Sequence, residues 1–414
     1  MWWLVIPVII YSSGLLALWA SIARRSNGAD AGDAGQPEAG EAMAASMTGQ
    51  HPLTGDNGGV PETDALHGAG VSEAPQEPTG LPAVSVIVAA RNEERHIETL
   101  LGSLVKQDYP DGLLEIIIVN DNSTDRTPVA ASEFIEADKG MSAHRIRLIY
   151  NPFSGKKRAV RYGIEKSSGE VILTTDADCV VGPEWVRRHA SWYTSGGPDV
   201  VLAPVIQKPA EGFWHGFGAY EFAALQAITE ASTVPGHPVM CNAANMSFRR
   251  DVYLRHAEEL HPDLPSGDDM FLLHAVKRDG GTVKHEGNTA AAVVTAGAVT
   301  AAALLRQRAR WASKAGRYRD PATLTLAAAT AACNAAVATA VVTACMSVEY
   351  LLPAAVMYGV KALPDYLLIA TELKKRGARV KAVLFMVSEI LYPFWFVTVA
   401  VMSLFPSSRR FRRR

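Results

Sequence analysis

From Trp2 to Ala23 the chain carries no charged residue, and Arg24-Arg25 closes the run. A stretch of about 20 apolar residues is what a bilayer crossing requires, and only a helix or a closed barrel can satisfy its backbone there. A secretory leader would place its basic residues before the apolar core, so the pair that follows it reads as the flank of an uncleaved anchor, residues 1–25. Cytoplasmic flanks are enriched in Lys and Arg, which sets Arg24 and Arg25 inside and the N-terminus outside. Lys and Arg are then absent until Arg91, and residues 26–82 are rich in Ala, Gly, Pro and acids with few large apolar side chains. Such a segment cannot offset its ordering entropy by burial and reads as a disordered linker.

After Pro321 the chain turns apolar again. Thr323 to Met346 is one span candidate, Leu351 to Ile369 a second, interrupted by Lys361, Pro364 and Asp365, and Val383 to Phe405 a third, with Glu389 and Pro393 inside it. The block 320–408 is thus a membrane region of two to three segments, ahead of a basic tail, 409–414. Three full spans would carry that tail outside against the usual bias, so the third segment, broken at Pro393, is expected to be re-entrant. Lys361 and Asp365 are four apart on one helix and are expected to pair. The run Thr289 to Leu305 is uncharged but mostly Ala, Thr and Gly, and is not read as a span.

Between the apolar ends lies an α/β pattern, residues 83–319. Val84 to Ala90 is a β-branched run stopping at Arg91-Asn92-Glu93-Glu94; Ile97, Leu100, Leu101, Leu104 and Val105 follow at helical spacing. Glu115 to Val119 is a second buried strand, leaving through Asn120-Asp121-Asn122-Ser123, and Val171 to Thr175 a third, leaving through Asp176-Ala177-Asp178. Strand, helix, strand at this spacing makes a right-handed parallel unit whose strand ends share one edge. Side chains alternate along a strand, so Asp176 and Asp178 face the same way, as a hard divalent cation held by one or two carboxylates and substrate phosphates requires. Asp-x-Asp also occurs in ordinary turns, where acids cap the backbone. Lys156 and Lys157 open a helix at the end where its dipole favours acids, which a negative ligand would explain.

Other chemistries find little support. The formal net charge of −2 does not suggest a nucleic-acid binder, and Cys179, Cys241, Cys333 and Cys345 show no metal-ligand spacing. There is no Gly-x-Gly-x-x-Gly, phosphate-loop Gly-Lys-Ser/Thr or His-Glu-x-x-His. The sequence instead contains Gly267-Asp268-Asp269-Met270, two acids opening a helix, and Gln307-Arg308-Ala309-Arg310-Trp311. Capping accounts for one acid there but not readily for two.

In this order these motifs resemble family 2 glycosyltransferases of the nucleotide-diphospho-sugar transferase fold, called GT-A, over Pro82 to Trp311. The Gln-x-x-Arg-Trp motif is similar to that of membrane enzymes that build cellulose, chitin, hyaluronan, poly-N-acetylglucosamine or glucosylceramide. The resemblance implies a Rossmann-like α/β domain between N-terminal and C-terminal transmembrane helices. It implies an inverting transfer from a nucleotide-diphosphate sugar, with a UDP-sugar favoured, to a lipid-linked or glycan acceptor at the cytoplasmic membrane, with the catalytic domain cytosolic. By that similarity Asp121 contacts the nucleotide base; Arg91, Glu93, Lys156, Lys157 and Asp176 complete the nucleotide-sugar site. Asp178, with Asp176, holds Mg2+ or Mn2+. Asp269 is the base, with Asp268 beside it, and Gln307, Arg310 and Trp311 serve the diphosphate and acceptor. Asn120 stands where the family has the first Asp of its turn. A segment lining the acceptor side is expected at Cys241 to Arg250, and an amphipathic helix at Phe213 to Ala231, packed either on the membrane or in the core. Two rival readings are a ceramide-type enzyme adding one sugar and a non-catalytic nucleotide-sugar-binding subunit of an envelope assembly. An accessory envelope-biosynthesis subunit is the expected protein partner.

Overall fold

In the computed structural model the described residues are 2–29 and 80–404, except 143, 195, 262, 263 and 265. Most of the expected linker and all of the basic tail 409–414 lie outside them. The elements are α1 (Val5–Ala29), β1 (Val84–Ala90), α2 (Ile97–Leu104), β2 (Leu114–Asn120), α3 (Thr127–Asp138), β3 (Arg145–Tyr150), α4 (Lys156–Glu165), β4 (Val171–Asp176), β5 (Val180–Val181), α5 (Trp185–Ala190), β6 (Val200–Leu202) and β7 (Val205–Lys208). There follow α6 (Phe213–Thr233), β8 (Met246–Arg249), α7 (Arg250–His256), α8 (Asp268–Arg278), β9 (Val283–His285), β10 (Val293–Ala296), α9 (Ala301–Ala312), α10 (Pro321–Met346), α11 (Leu351–Lys374) and α12 (Ala382–Leu404).

Seven strands form a sheet in the order β3-β2-β1-β4-β8-β6-β9, parallel except for β8. Alternation along β1 explains why the run is apolar throughout: Val84, Val86 and Val88 enter one core with α2 and α5, while Ile87 enters the other with α4, α7 and α8. On that second face α4 approaches the sheet at Gly163, where a Cβ would lie 2.7 Å from Ile87 Cγ2 and 2.9 Å from Val119 Cγ2. The strands end in register, Ala89 beside Asp176, Ala90 beside Asn120, and Asn120 beside Tyr150. Their polar exits therefore share one edge. A small sheet, β5-β10-β7, stands over that edge and brings Thr295 to Asp178.

Among the described residues, four helices are long and apolar enough to cross a membrane: Val5–Arg24, Pro321–Met346, Val348–Lys374 and Ala382–Leu404. The run Thr289 to Leu305 becomes instead a helical turn, β10 and the start of α9. The two segments expected to be broken are unbroken. Pro364 lies inside α11 and Pro393 inside α12, so the re-entrant reading of the third segment is corrected to a continuous helix. A proline deletes one backbone donor, and within a helix bundle neighbouring groups and small local adjustments absorb that loss. Lys361 is fully buried, and its Nζ donates to Asp365 Oδ2 at 2.7 Å and to Glu389 Oε2 at 2.6 Å; Tyr11 Oη donates to Asp365 Oδ1 at 2.8 Å. Ionic groups at this depth are costly unless paired, so these pairs fix the mutual rotation of α1, α11 and α12.

The helices alternate. α10 starts at the α/β domain, where Asp320 caps it through Thr323 N at 2.8 Å and pairs with Lys277 at 2.7 Å. α11 returns to that side, where Lys375 pairs with Glu230, and α12 leaves it again. α1 runs parallel to α11, with Tyr11 on Asp365 and Trp19 on Thr371. Helix α6 joins the two parts of the molecule. Its Phe222 enters the sheet core and Gln226 Oε1 accepts from Val205 N at 3.0 Å, while Ala227 and Ala231 pack with α1 and α11. Core packing on both sides, rather than a lipid-facing surface, explains its pattern.

Candidate active site

The loop after β1 is built against the loop after β2. Asn92 and Asn122 both take left-handed conformations, φ 59° and 56°, which asparagine tolerates better than most side chains. Asn92 Oδ1 accepts from Thr124 N at 2.8 Å, Thr127 Oγ1 accepts from Glu93 N at 2.7 Å, and Glu94 Oε2 accepts from Arg126 N at 3.0 Å. Asp121 is buried and closes the next loop: its Oδ1 accepts from Asn151 Nδ2 at 2.8 Å and Gly155 N at 2.9 Å, with Arg91 Nη1 at 3.9 Å from Oδ2.

Lys156 and Lys157, adjacent in sequence, part company. Lys156 Nζ donates to Asp176 Oδ1 at 2.5 Å, so the first turn of α4 joins the end of β4. Partial desolvation at the cleft opposes the charge, but the adjacent Asp176 carboxylate holds the Lys156 ammonium above its usual range, although the side chain is exposed. Lys157 is buried and donates to the carbonyls of Leu260 and His261 at 2.6 and 3.0 Å, beside the Phe271 ring. Its Nζ is committed to the backbone leading into α8, a structural task that its place in the sequence does not reveal.

Asp178 sits beside Asp176, with Thr295 Oγ1 3.5 Å from its Oδ2. Burial, followed by the Asp176 charge, pushes the Asp178 carboxyl upward; burial, with Asp178 and Asp176 also contributing, does the same to Glu93. These acids share one pool of negative potential at the strand edge. Across the cleft, Gly267, at φ 98°, opens α8, and the acid pair follows it. Asp269 Oδ2 faces the loop before β8, 3.3 Å from Ala243 N. Asp268 lies within the field of Lys156, and burial together with the Asp269 charge raises its carboxyl. A cavity below the pair is lined by Val160, Thr174, Met246, Phe248 and Tyr253.

That loop is held by Asn245, inside the segment expected at Cys241 to Arg250, and by Trp185 and His189, which no motif marks. Asn245 Nδ2 donates to Pro204 O at 2.6 Å and Ala291 O at 2.8 Å, and its Oδ1 lies 2.8 Å from Trp185 Nε1 and 2.9 Å from His189 Nε2. Burial lowers His189 to about 4, so it is neutral at pH 7 and structural. Lys314, three residues past Trp311, is also buried, and its stem lies against Gly267, where a Cβ would meet its Cδ at 2.5 Å. The only sequence signal for it was one more cation after the Arg-Trp pair.

Helix α9 carries Gln307, Arg310 and Trp311 to the same region. Arg310 is exposed and near enough to Lys156 to oppose its charge, while Trp311 packs against the rim of the sheet core. The edge thus gathers two cations, an Asp-x-Asp and an acid pair around one cleft. Two carboxylates side by side, with a third acid close by, suit a hard divalent cation completed by substrate phosphates and water. Among the described residues no cluster of three or more His, Cys, Asp or Glu forms a ready-made metal cage. Lys156 already occupies one oxygen of Asp176.

A family model described as "Glycosyl transferase family 2" matches residues 85–255, and one described as "Glycosyl transferase family group 2" matches residues 171–405. A beta-monoglucosyldiacylglycerol synthase from Nostoc sp. is 29% identical over 246 residues, 58% of this chain and 50% of that protein. An N-acetylglucosaminyltransferase from Sinorhizobium fredii is 26% identical over 249 residues, 58% of each chain. The chain spans about half the length of the first of these relatives. Among solved structures, a mannosyltransferase from Pyrobaculum calidifontis in complex with GDP-Man and Mn2+ superposes with TM-score 0.54 at 21% identity, covering 80% of this chain and 89% of that one, a likeness of fold. With the second family model covering more than half of its residues, the chain belongs to glycosyl transferase family group 2.

Proposed function

We propose that this protein is an inverting glycosyltransferase of the cytoplasmic membrane. It would move a sugar from a nucleotide-diphosphate donor, a UDP-sugar in preference, to a lipid-linked or polysaccharide hydroxyl. The observation that carries the reading is the meeting, at one sheet edge, of Lys156–Asp176, Asp178, the Asp268–Asp269 pair and Arg310. In this reading Asp121 and the loops it closes hold the nucleotide, with Arg91 and Glu93 at its side. Lys156 and Arg310 bind the diphosphate, Arg310 through a planar fork suited to phosphate oxygens. Asp269 takes the proton of the acceptor hydroxyl as its oxygen bonds to the anomeric carbon and the bond to the diphosphate breaks. Asp176 and Asp178 are the residues that would hold Mg2+ or Mn2+, which when bound supplies charge neutralisation to the leaving diphosphate. Gln307 and Trp311 flank the acceptor, the indole offering a flat face to a sugar ring.

A lipid acceptor is favoured by the seating of α9, which rests on α6 and on the membrane helix α12. The glycolipid product in the name of the Nostoc relative points the same way, to a single-sugar transfer. Purified full-length protein should release nucleoside diphosphate from one of UDP-glucose, UDP-N-acetylglucosamine or GDP-mannose when offered diacylglycerol in mixed micelles or chitotetraose. No release from any pairing would support the non-catalytic subunit reading instead.

The catalytic domain is assigned to the cytosol. Cys345 is exposed near the end of α10 that points away from the catalytic domain, while Met141 is an exposed position on the domain itself. A membrane-impermeant maleimide added to intact cells is expected to label Cys345 and to spare Met141→Cys. Labelling of Met141→Cys would reverse the orientation.

A further inference from the structure

Arg308 has no role in the mechanism above, yet it is the buried one of the three arginines in α9. Arg306 and Arg310 are exposed, whereas Arg308 is 4% exposed. Successive helical residues turn by about 100°, so positions 308 and 311 share one face and 306 and 310 another. Arg308 Nε donates to Glu221 Oε2 at 2.7 Å, its Nη1 donates to Gln307 Oε1 at 2.7 Å, and its guanidinium lies 4.4 Å from the Trp311 ring centroid. One planar group therefore sets both the Gln307 amide and the plane of the indole. Its Nη2 is buried without a hydrogen-bond partner among the described residues. A buried ion pair with a donor left over is a poor way to hold two helices together, because well-packed apolar side chains would do so without the desolvation cost.

Glu221 is itself seated on the membrane bundle. Its neighbour Tyr220 accepts at Oη from Lys381 N, next to the start of α12, at 2.7 Å. One turn earlier, the Phe217 ring lies 5.4 Å from Trp395 and 6.3 Å from Tyr392, both on α12. The place of Glu221, and through it of Arg308, is fixed by membrane-helix packing.

We propose that Glu221 and Arg308 are a positioning pair that orients Gln307 and Trp311 toward the acceptor and ties that orientation to the packing of α6 on α12. This rests on the reading of Trp311 as the acceptor platform. The test uses full-length enzyme in nanodiscs, the donor active with the wild type, and whichever acceptor, diacylglycerol micelles or chitotetraose, the wild type glycosylates. Arg308→Met and Glu221→Gln are expected to raise acceptor KM by about tenfold or more, leaving donor KM and acceptor-free donor hydrolysis within about twofold of wild type. Arg308→Lys keeps the charge but not the fork that bridges Glu221, Gln307 and the indole, so it should fall between Arg308→Met and wild type. If Arg308→Met does not fold, Arg308→Lys and Glu221→Gln decide. Unchanged acceptor KM in the folded variants overturns the proposal, as does an equal loss in donor hydrolysis, which would mark the pair as structural only. A wild type inactive toward every donor would instead overturn the catalytic reading on which the pair's role depends.

Discussion

Asp269→Asn is expected to lower kcat by roughly 10²- to 10⁴-fold, the range typical of a removed acid-base group, while donor affinity stays near wild type. The two acids at the start of α8 point about 100° apart, so only one can face the acceptor hydroxyl. Asp269 faces the loop at Ala243, on the expected acceptor side, whereas Asp268 lies in the field of Lys156, on the donor side. Asp268→Asn should therefore disturb donor binding more than turnover. Single-turnover rates and calorimetric donor binding for both variants separate the roles: a slower Asp268→Asn enzyme, or loss of donor binding in Asp269→Asn, would exchange the assignments.

Removal of divalent metal with excess chelator, and Asp178→Ala, should each reduce transfer by on the order of 10³-fold or more, since departure of a diphosphate at neutral pH needs several kcal/mol of charge stabilisation. Asp178 is the sharper probe of the two aspartates. Asp176 also holds Lys156, so its loss would remove a salt bridge along with a proposed metal ligand. Restoration of the chelated wild type by Mn2+ or Mg2+, but not of Asp178→Ala, would complete the result; full turnover in chelator would remove the metal from the mechanism.

Much of this fold could be read locally. The apolar runs from Val84, Glu115 and Val171 became strands β1, β2 and β4 of the large sheet, and the polar clusters that end them became one edge of it. The helical pair Lys361–Asp365 formed as its spacing required. Where reading failed, local rules met a tertiary context that overrode them. Pro364 and Pro393 suggested breaks, but each sits inside a continuous helix of the bundle. Phe213 to Ala231 allowed either a membrane surface or a core, and only the sheet on one side and three membrane helices on the other made it core.

The sequence by itself determined the strand-end acids, the apolar spans and the order of the motifs, because alternation, run length and side-chain charge are properties of neighbouring residues. It could not separate residues of one type standing one or two positions apart. Lys156 reaches Asp176 while Lys157 reaches Leu260, 103 positions away, and Arg310 faces the cleft while Arg308 pairs with Glu221, 87 positions away. Those choices rest on which distant element each helix face meets. Only the packing of α4 against the approach to α8, and of α9 against α6 and α12, decided them.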